Sequence, residues 1–518
     1  MPLTRTGPLD PLRKLSLRHA SSGDSHMPIS RRRSRVSPLL LLASLALAMF
    51  AAGCAVNPAT GKREFTLVTP MQEAALGREG YGAAIAEYGV YEDAALAAYV
   101  DSVGRKVARA SEQPGLPWKF TVLDDPAVNA FAMPGGYIYV TRGLLAYMQS
   151  EAQLAGVLGH EIGHVTARHS ARQITQQQLA GMGLQVASAV SPTFRRYSST
   201  AEMGLGLLML KYSRDDENQA DELGVRYASI SGFDVREMPA TYRTLQRIAE
   251  RAGASLPGYL STHPDPGQRA EHTAALAAKA AAGRVNLVVR QRGYLERLRN
   301  IVYGENPRYG WFEGRMFYHP VLGMQMEFPA GWQTQKTRTA LTAGSADQHG
   351  MLQMTLARGA AGKNPGDVLV DLSASGRIAS SRGSSETLGN WPAWVGTVTV
   401  PDGAGGQKSL VAAWVRITPD VMLQFLGKGD APGDAGERQA LAAIRSISVL
   451  ADPARGMVQP SRLRIQPSAT AGEFRGLWAG LGTNLVPADE GAILNGLELD
   501  EGVMKGQWLK IAEKVKRP

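Results

Sequence analysis

The stretch "VLGHEIGHVTARH", Val157–His169, holds three of the chain's nine histidines within ten residues, and two of them flank a glutamate. On an α-helix, positions i and i+4 share a face about one turn apart. His160 and His164 can therefore send two imidazoles to one ion, at zinc–nitrogen distances of roughly 2.0–2.1 Å. Glu161 sits one step round, close enough to reach a water at that ion without ligating it; in that arrangement the glutamate is the general base. Gly159 and Gly163 remove side chains where another element, or a substrate, could approach. A solvated helix with incidental histidines would have polar surroundings, whereas the preceding "AQLAGVLG" is apolar and buries this one. One long helix is expected from Glu151 to about Gln178, with His169 on it as a packing or surface residue.

A catalytic zinc usually has three protein ligands and an open fourth position. "SRDDENQADELG", Ser213–Gly224, offers the third from a separate helix expected over roughly Ala201–Ser231. Glu217 and Asp221 are i, i+4 on that helix, and like charges so placed disfavour it unless something positive lies against them. A zinc ion supplies such a charge; a plain acidic patch is the alternative. Glu217 is the expected ligand. Asp221 is expected to accept the remaining N–H of a ligating histidine and so fix its tautomer.

"NAFAMPGGYIYVTRGLL", "HEIGHVTARH", "ENQAD" and "STHPDPGQR" follow one another in that order between Asn129 and Arg269. The set resembles the HtpX and CAAX-prenyl-protease family of zinc metallopeptidases, gluzincins with an HExxH…ExxxD pattern. The nearest branch is its soluble periplasmic lipoproteins, LoiP and BepA among them. The resemblance, from about Asn57 through Arg269, implies one Zn2+ per chain held by His160, His164 and Glu217. It also implies that Asn129 and His263 steady the reacting carbonyl oxygen. In some relatives the histidine matching His263 instead closes over the zinc and holds the enzyme latent. From the residues alone, Asn129 is a turn residue as readily as a functional one, placed before a possible edge strand "AFAMPGG" to which an extended peptide could add. His263, held out of a helix by Pro264, suits an exposed mobile loop.

Length and charge set the wider frame. At 518 residues the chain is too long for one core, so several domains are expected. Of the ten net positive charges, six fall in residues 1–53, which carry eight Lys/Arg against two Asp. The remainder is nearly balanced, which argues against a nucleic-acid partner. The sole cysteine, Cys54, excludes an internal disulfide and ends "RRRSRVSPLLLLASLALAMFAAGC". A basic start, an apolar run and small residues before the cysteine resemble a bacterial lipoprotein signal. That resemblance implies cleavage before Cys54, lipid on its thiol and, with Ala55 next, a periplasmic protein anchored to the outer membrane. An uncleaved anchor is the alternative, though Pro38–Gly53 is short for a span. Met27 opens the signal-like part and is the expected translation start.

The fold class expected is multidomain α+β. Residues 1–53 form the signal region and 54–283 a helix-dominated zincin peptidase domain with a small sheet, entered by a tether, "AVNPATGKREFTLVT". A helical linker follows at 284–307, then an α+β accessory domain at 308–450. In that domain "GMQMEF", "LQMTLAR", "AWVGTVTV" and "LVAAWVRIT" read as strands, and His319 beside Pro320 reads as structural. Residues 460–515 are similar to a LysM module, a βααβ unit, through "LNGL" and "GQWLKI"; peptidoglycan binding and a docking lobe are the two readings. "SAVSPTFRRYSS", Ser188–Ser199, with Arg195, Arg196 and Tyr197, is a lid over the cleft or an ordinary surface loop.

Three functions compete. The first is a lipid-anchored zinc endopeptidase that degrades unfolded or misassembled envelope proteins, those of the outer membrane above all. The second is a chaperone or scaffold with a mostly latent zinc site, and the third a cell-wall amidase.

Overall fold

The helix bearing the motif runs Glu151–Thr166 and starts at Ser150, whose side chain accepts the Gln153 N–H. Every residue in it except Val165 is buried. A helix apolar or small-sided all round must lie inside a domain, and here Ala94–Ala108, Arg214–Ile230 and a three-stranded sheet surround it. The computed structural model describes residues 54–187, 211–253, 259–357, 359–402, 406–481 and 484–513. The signal region, the Met27 start and the lid segment lie outside the described residues.

In the small sheet Tyr137–Thr141 is central, parallel to Lys119–Leu123 and antiparallel to Ala130–Met133, which is an edge as expected. The long helix expected through Gln178 is interrupted. Ala167 and Arg168 form a turn, with Arg168 at φ 56, and a second helix starts at His169. Contacts outside the helix hold this strained residue: Arg168 Nε bonds Glu73 at 3.1 Å and its Nη2 donates to Val68 O at 2.9 Å. Asn57 donates to the Ala167 carbonyl at 3.0 Å. Asn57 opens the connection of a hairpin, Cys54–Val56 with Arg63–Phe65, so the expected tether is a folded segment packed on the end of the motif helix.

The helix Arg214–Ile230 begins at Ser213, whose hydroxyl and backbone form a capping box with Asp216. It is shorter than expected, since residues 211–213 are non-helical. Its contact with the motif helix is made by glycines. A Cβ on Gly159 would meet Gly224 O at 2.9 Å, and one on Gly163 would meet Ala220 O at 3.1 Å. The element for which the two motif glycines leave room is thus the acidic helix itself.

Beyond the peptidase part, a seven-stranded antiparallel sheet has the order Ser380–Leu388, Trp391–Pro401, Gln407–Arg416, Met422–Lys428, Met351–Leu356, Ala340–Gly344, Gln333–Lys336. Alternation sends Val395, Ala413 and Phe425 to the face under helix Ala435–Arg445. Trp394, Ala412 and Trp414 go to the other, under Pro365–Ala374. The four expected strand stretches are all strands here. Residues 460–513 hold two helices, Phe474–Gly480 and Ala488–Asn495, between two strand pairs, Arg462–Pro467 with Trp508–Glu513 and the short Gly472–Glu473 with Gly502–Val503. This unit packs on the peptidase part: buried Lys510 donates to Ala146 O at 2.6 Å and Met148 O at 2.9 Å. Tyr294, Leu295 and Ile301, from the stretch expected to link the parts, join the same core.

Candidate metal and catalytic site

Four side chains converge at the centre of the peptidase part. His160, His164, Glu217 and His263 each offer one ligand atom, and these atoms lie within 4.8 Å of one another. The Nε2 atoms of His160 and His164 are 2.9 Å apart. Glu217 lies 3.6 Å from the first and 3.5 Å from the second, and 2.9 Å from His263 Nδ1. Ligands 2.0–2.1 Å from a tetrahedral ion stand about 3.3–3.4 Å from one another. Three imidazoles and a carboxylate at these separations fit zinc.

Glu161 points into the same space without joining the group. Its carboxylate is 3.7 Å from His263 Nε2, and both of its oxygens are buried with no hydrogen-bond partner among the described residues. Burial pushes its carboxyl up to about 7, with the nearby His263 opposing. Burial also pushes the His160 imidazole down to about 4, so at neutral pH the ring is in the uncharged form that ligates.

Asp221 stands where the spacing placed it, its Oδ1 2.9 Å from His160 Nδ1. Burial works against its charge, but the Arg269 guanidinium and the bond to His160 hold its carboxyl well below the usual range. Arg269 has no role in the sequence reading. It is buried, bonds Asp221 at 2.7 Å and Glu217 at 2.7 Å, and receives Tyr242 and Tyr259 against its guanidinium. The positive charge that the acidic helix requires is therefore supplied in part by the protein. A signal was present: a buried arginine one turn into the helix Pro266–Ala281, which follows His263 directly in "HPDPGQR".

One expectation about the histidines needs correction. His263 is not on an exposed loop; it is fully buried, stacked on Tyr259 with ring centroids 4.5 Å apart. The turn after the short helix Tyr259–Thr262 carries it inward, closed by His263 N–H to Tyr259 O at 2.7 Å. Of the two readings of His169, packing holds: it is buried against His164. Asn129 stands at the start of the edge strand, its backbone paired with Thr141, and its Oδ1 is buried without a partner among the described residues. Val128 beside it accepts the Tyr259 N–H at 3.0 Å, which joins this strand entry to the His263 turn. A cleft of about 560 Å3 opens at the C-terminal end of the motif helix, bounded by Val56, Glu73, Gly115, Pro134 and His164. Cys54 opens the first hairpin.

Residues 94–277 match the family model described as Peptidase family M48. Over these residues the chain is similar to that family. Mitochondrial metalloendopeptidase OMA1 of Arabidopsis thaliana is 35% identical over 164 residues, 32% of this chain and 32% of that protein. The Beta-barrel assembly-enhancing protease of Escherichia coli K12 is 31% identical over 187 residues, covering 34% and 38%. Mitochondrial metalloendopeptidase OMA1 of Schizosaccharomyces pombe is 31% identical over 217 residues, covering 41% and 63%. The chain thus spans about a third of the length of the first two of these relatives. All four candidate ligands lie inside the matched region. Among the described residues no helix is long and apolar enough to cross a membrane.

Proposed function

We propose that this protein is a lipid-anchored zinc endopeptidase, of the soluble periplasmic lipoprotein branch of its family. In this reading it hydrolyses peptide bonds of unfolded or misassembled envelope proteins, outer-membrane proteins included. The observation that carries the peptidase reading is the convergence of His160, His164 and Glu217 with Glu161 left unligated beside them. When bound, zinc polarises a carbonyl and brings the acidity of water near neutrality. Glu161, with its carboxyl near 7, is matched to take the proton of the attacking water and return it to the leaving amine. An extended substrate would add to the edge strand Ala130–Met133 and run toward Pro134, which borders the cleft. Asn129 and His263 are the proposed donors to the carbonyl oxygen. Lipid on Cys54 would fix the hairpin, and with it the end of the motif helix, near the outer membrane.

One observation favours a second reading. His263 Nδ1 stands in the ligand group, where an open position would be needed for substrate. A chaperone or scaffold whose site opens only on demand is consistent with that. For the C-terminal unit a docking lobe is the better-supported role, since its "LNGL" loop is bonded to Gln149 and Arg247; peptidoglycan binding stays an open arm of the test. The deciding experiment measures zinc content and casein digestion for the wild type and Glu161→Gln. One zinc per chain in both, with cleavage only in the wild type, is expected. Equal digestion by the variant refutes the base; zinc without cleavage in the wild type favours the latent reading. Release of muropeptides from purified cell wall would support the amidase.

A further inference from the structure

Read as a zinc centre, the site leaves one buried histidine over. His169 Nδ1 lies 2.9 Å from His164 Nδ1, and its Nε2 lies 2.8 Å from Gln219 Oε1. Two ring nitrogens facing one another can bond only if one carries a proton and the other does not. His164 turns its Nε2 toward His160 and Glu217, so Nε2 is its ligand atom and must be bare. A neutral ring bare at Nε2 carries its proton on Nδ1. His164 Nδ1–H therefore donates to a bare Nδ1 on His169. The His169 proton then sits on Nε2 and is donated to the Gln219 carbonyl oxygen.

This chain of protons runs one way only. Were the Gln219 amide turned so that its NH2 met the ring, His169 would have to carry its proton on Nδ1. His164 would then be protonated on Nε2 and could not ligate. The orientation of one half-buried amide on the acidic helix thus decides whether the motif's second histidine is in its metal-binding form.

The backbone break makes this contact. On a continuous helix a residue five positions on is rotated by roughly 140° from its starting face. The turn at Ala167–Arg168, with Arg168 at φ 56, brings His169 back over His164, the ring centroids 4.9 Å apart. Other polar groups nearby are occupied. Asp216 is 3.6 Å from His169 Nε2 but caps its own helix and pairs with Arg172 at 2.6 Å. Tyr212 stacks on His164 at 3.9 Å and bonds Ser170 through its hydroxyl.

We infer that His169 and Gln219 are positioning residues, a relay that locks His164 in the tautomer that binds metal. The inference rests on the zinc-centre reading and adds two residues to it. The test uses the full chain and follows zinc by competition with a chromogenic chelator. Failure of the wild type to take up zinc overturns the zinc-centre reading and the relay together. With zinc bound to the wild type, Gln219→Leu is expected to weaken retention roughly tenfold, the scale of losing an outer partner of a metal ligand. Gln219→Glu, a stronger acceptor, is expected to strengthen it. His169→Leu should lose roughly 10–100-fold in affinity, and His169→Asn, whose Oδ1 replaces the accepting nitrogen, should recover most of that. In the metal-free protein, nitrogen NMR of labelled histidines should show His164 protonated on Nδ1 in the wild type and as mixed tautomers in Gln219→Leu. Gln219 is only half-buried, so its variants report even where those at His169 do not fold. Wild-type retention in both Gln219 variants, or shifts of the same sign, overturns the relay while leaving the zinc centre standing.

Discussion

Gly224→Ala tests how the site is assembled. A Cβ at Gly224 would lie 2.8 Å from His160 N and 3.1 Å from Gly159 C, both backbone atoms that cannot swing aside. Ordinary contact begins near 3.4 Å, so the two helices must part by about 0.6 Å. Overpacking of this kind costs ~1–3 kcal/mol, and replacing a helical glycine by alanine returns up to ~1 kcal/mol, for a net loss of ~0–3 kcal/mol. The consequence for metal is larger. His160 and His164 come from one helix and Glu217 from the other, and ligand distances hold to within ~0.2 Å. A parting about three times that tolerance should weaken zinc roughly 10–100-fold while the protein stays folded. Chelator competition reads the affinity and thermal unfolding reads the fold. Gly82→Ala is the control: a Cβ there meets nothing within 4 Å, so zinc binding should be unchanged and stability should rise by up to ~1 kcal/mol. Wild-type zinc affinity in a folded Gly224→Ala variant would show that the helix spacing does not set the site.

Stripping zinc with a chelator should lower the melting temperature, because zinc at a thousand times its dissociation constant adds ~4 kcal/mol; an unchanged melting curve would contradict a bound ion. Arg269→Met leaves Asp221 and Glu217 buried without their protein cation and should cost ~3–5 kcal/mol in urea unfolding of the zinc-free chain, whereas a loss under ~1 kcal/mol would remove Arg269 from the framework of the site. His319 gives a pH test away from the site. Burial pushes its imidazole down to about 4, and its Nδ1 accepts the Leu322 N–H, so the folded state binds the proton less well than the unfolded. Its contribution is present above the unfolded value of ~6.5 and is lost as pH falls toward 4, up to ~3 kcal/mol. His319→Gln should flatten the fall in stability between pH 7 and 4.5, and parallel curves for the two proteins would refute the assignment.

Much of this was legible in short-range pattern. The i, i+4 spacing placed His160 with His164 and Glu217 with Asp221, because helical geometry fixes which neighbours share a face. Alternation placed the accessory strands, because a pleated strand separates its two faces. What stayed hidden depends on one residue's backbone or on distant partners. Nothing in "VTARH" announces that Arg168 takes a left-handed conformation; Glu73 and the Val68 carbonyl, far off in sequence, hold it there. The expectation of a continuous helix followed from missing that turn. His263 reads as exposed because proline breaks regular structure; its burial depends on the stack with Tyr259 and the ion-pair distance to Glu217.

Charge explains why so many polar groups tolerate the same interior. Glu161, Glu217 and Asp221 bring three carboxylates into a space where each is almost wholly buried. Among the described residues Arg269 is the one guanidinium that bonds Glu217 and Asp221. With the histidines bound to metal in their uncharged form, ionised Glu217 and Asp221 against Arg269 leave one negative charge unbalanced, and Glu161, its carboxyl near 7, adds a second when it gives up its proton. Buried charge without a counter-charge is strongly disfavoured, and a divalent cation answers both. The acids crowded into "DDENQAD" therefore divide their work. Asp216 caps the helix and pairs with Arg172, Asp221 holds Arg269 and His160, and Glu217 faces the ion and Arg269 together. The arginine lowers the cost of gathering the acids before any metal arrives, and the negative charge it leaves uncovered favours a cation.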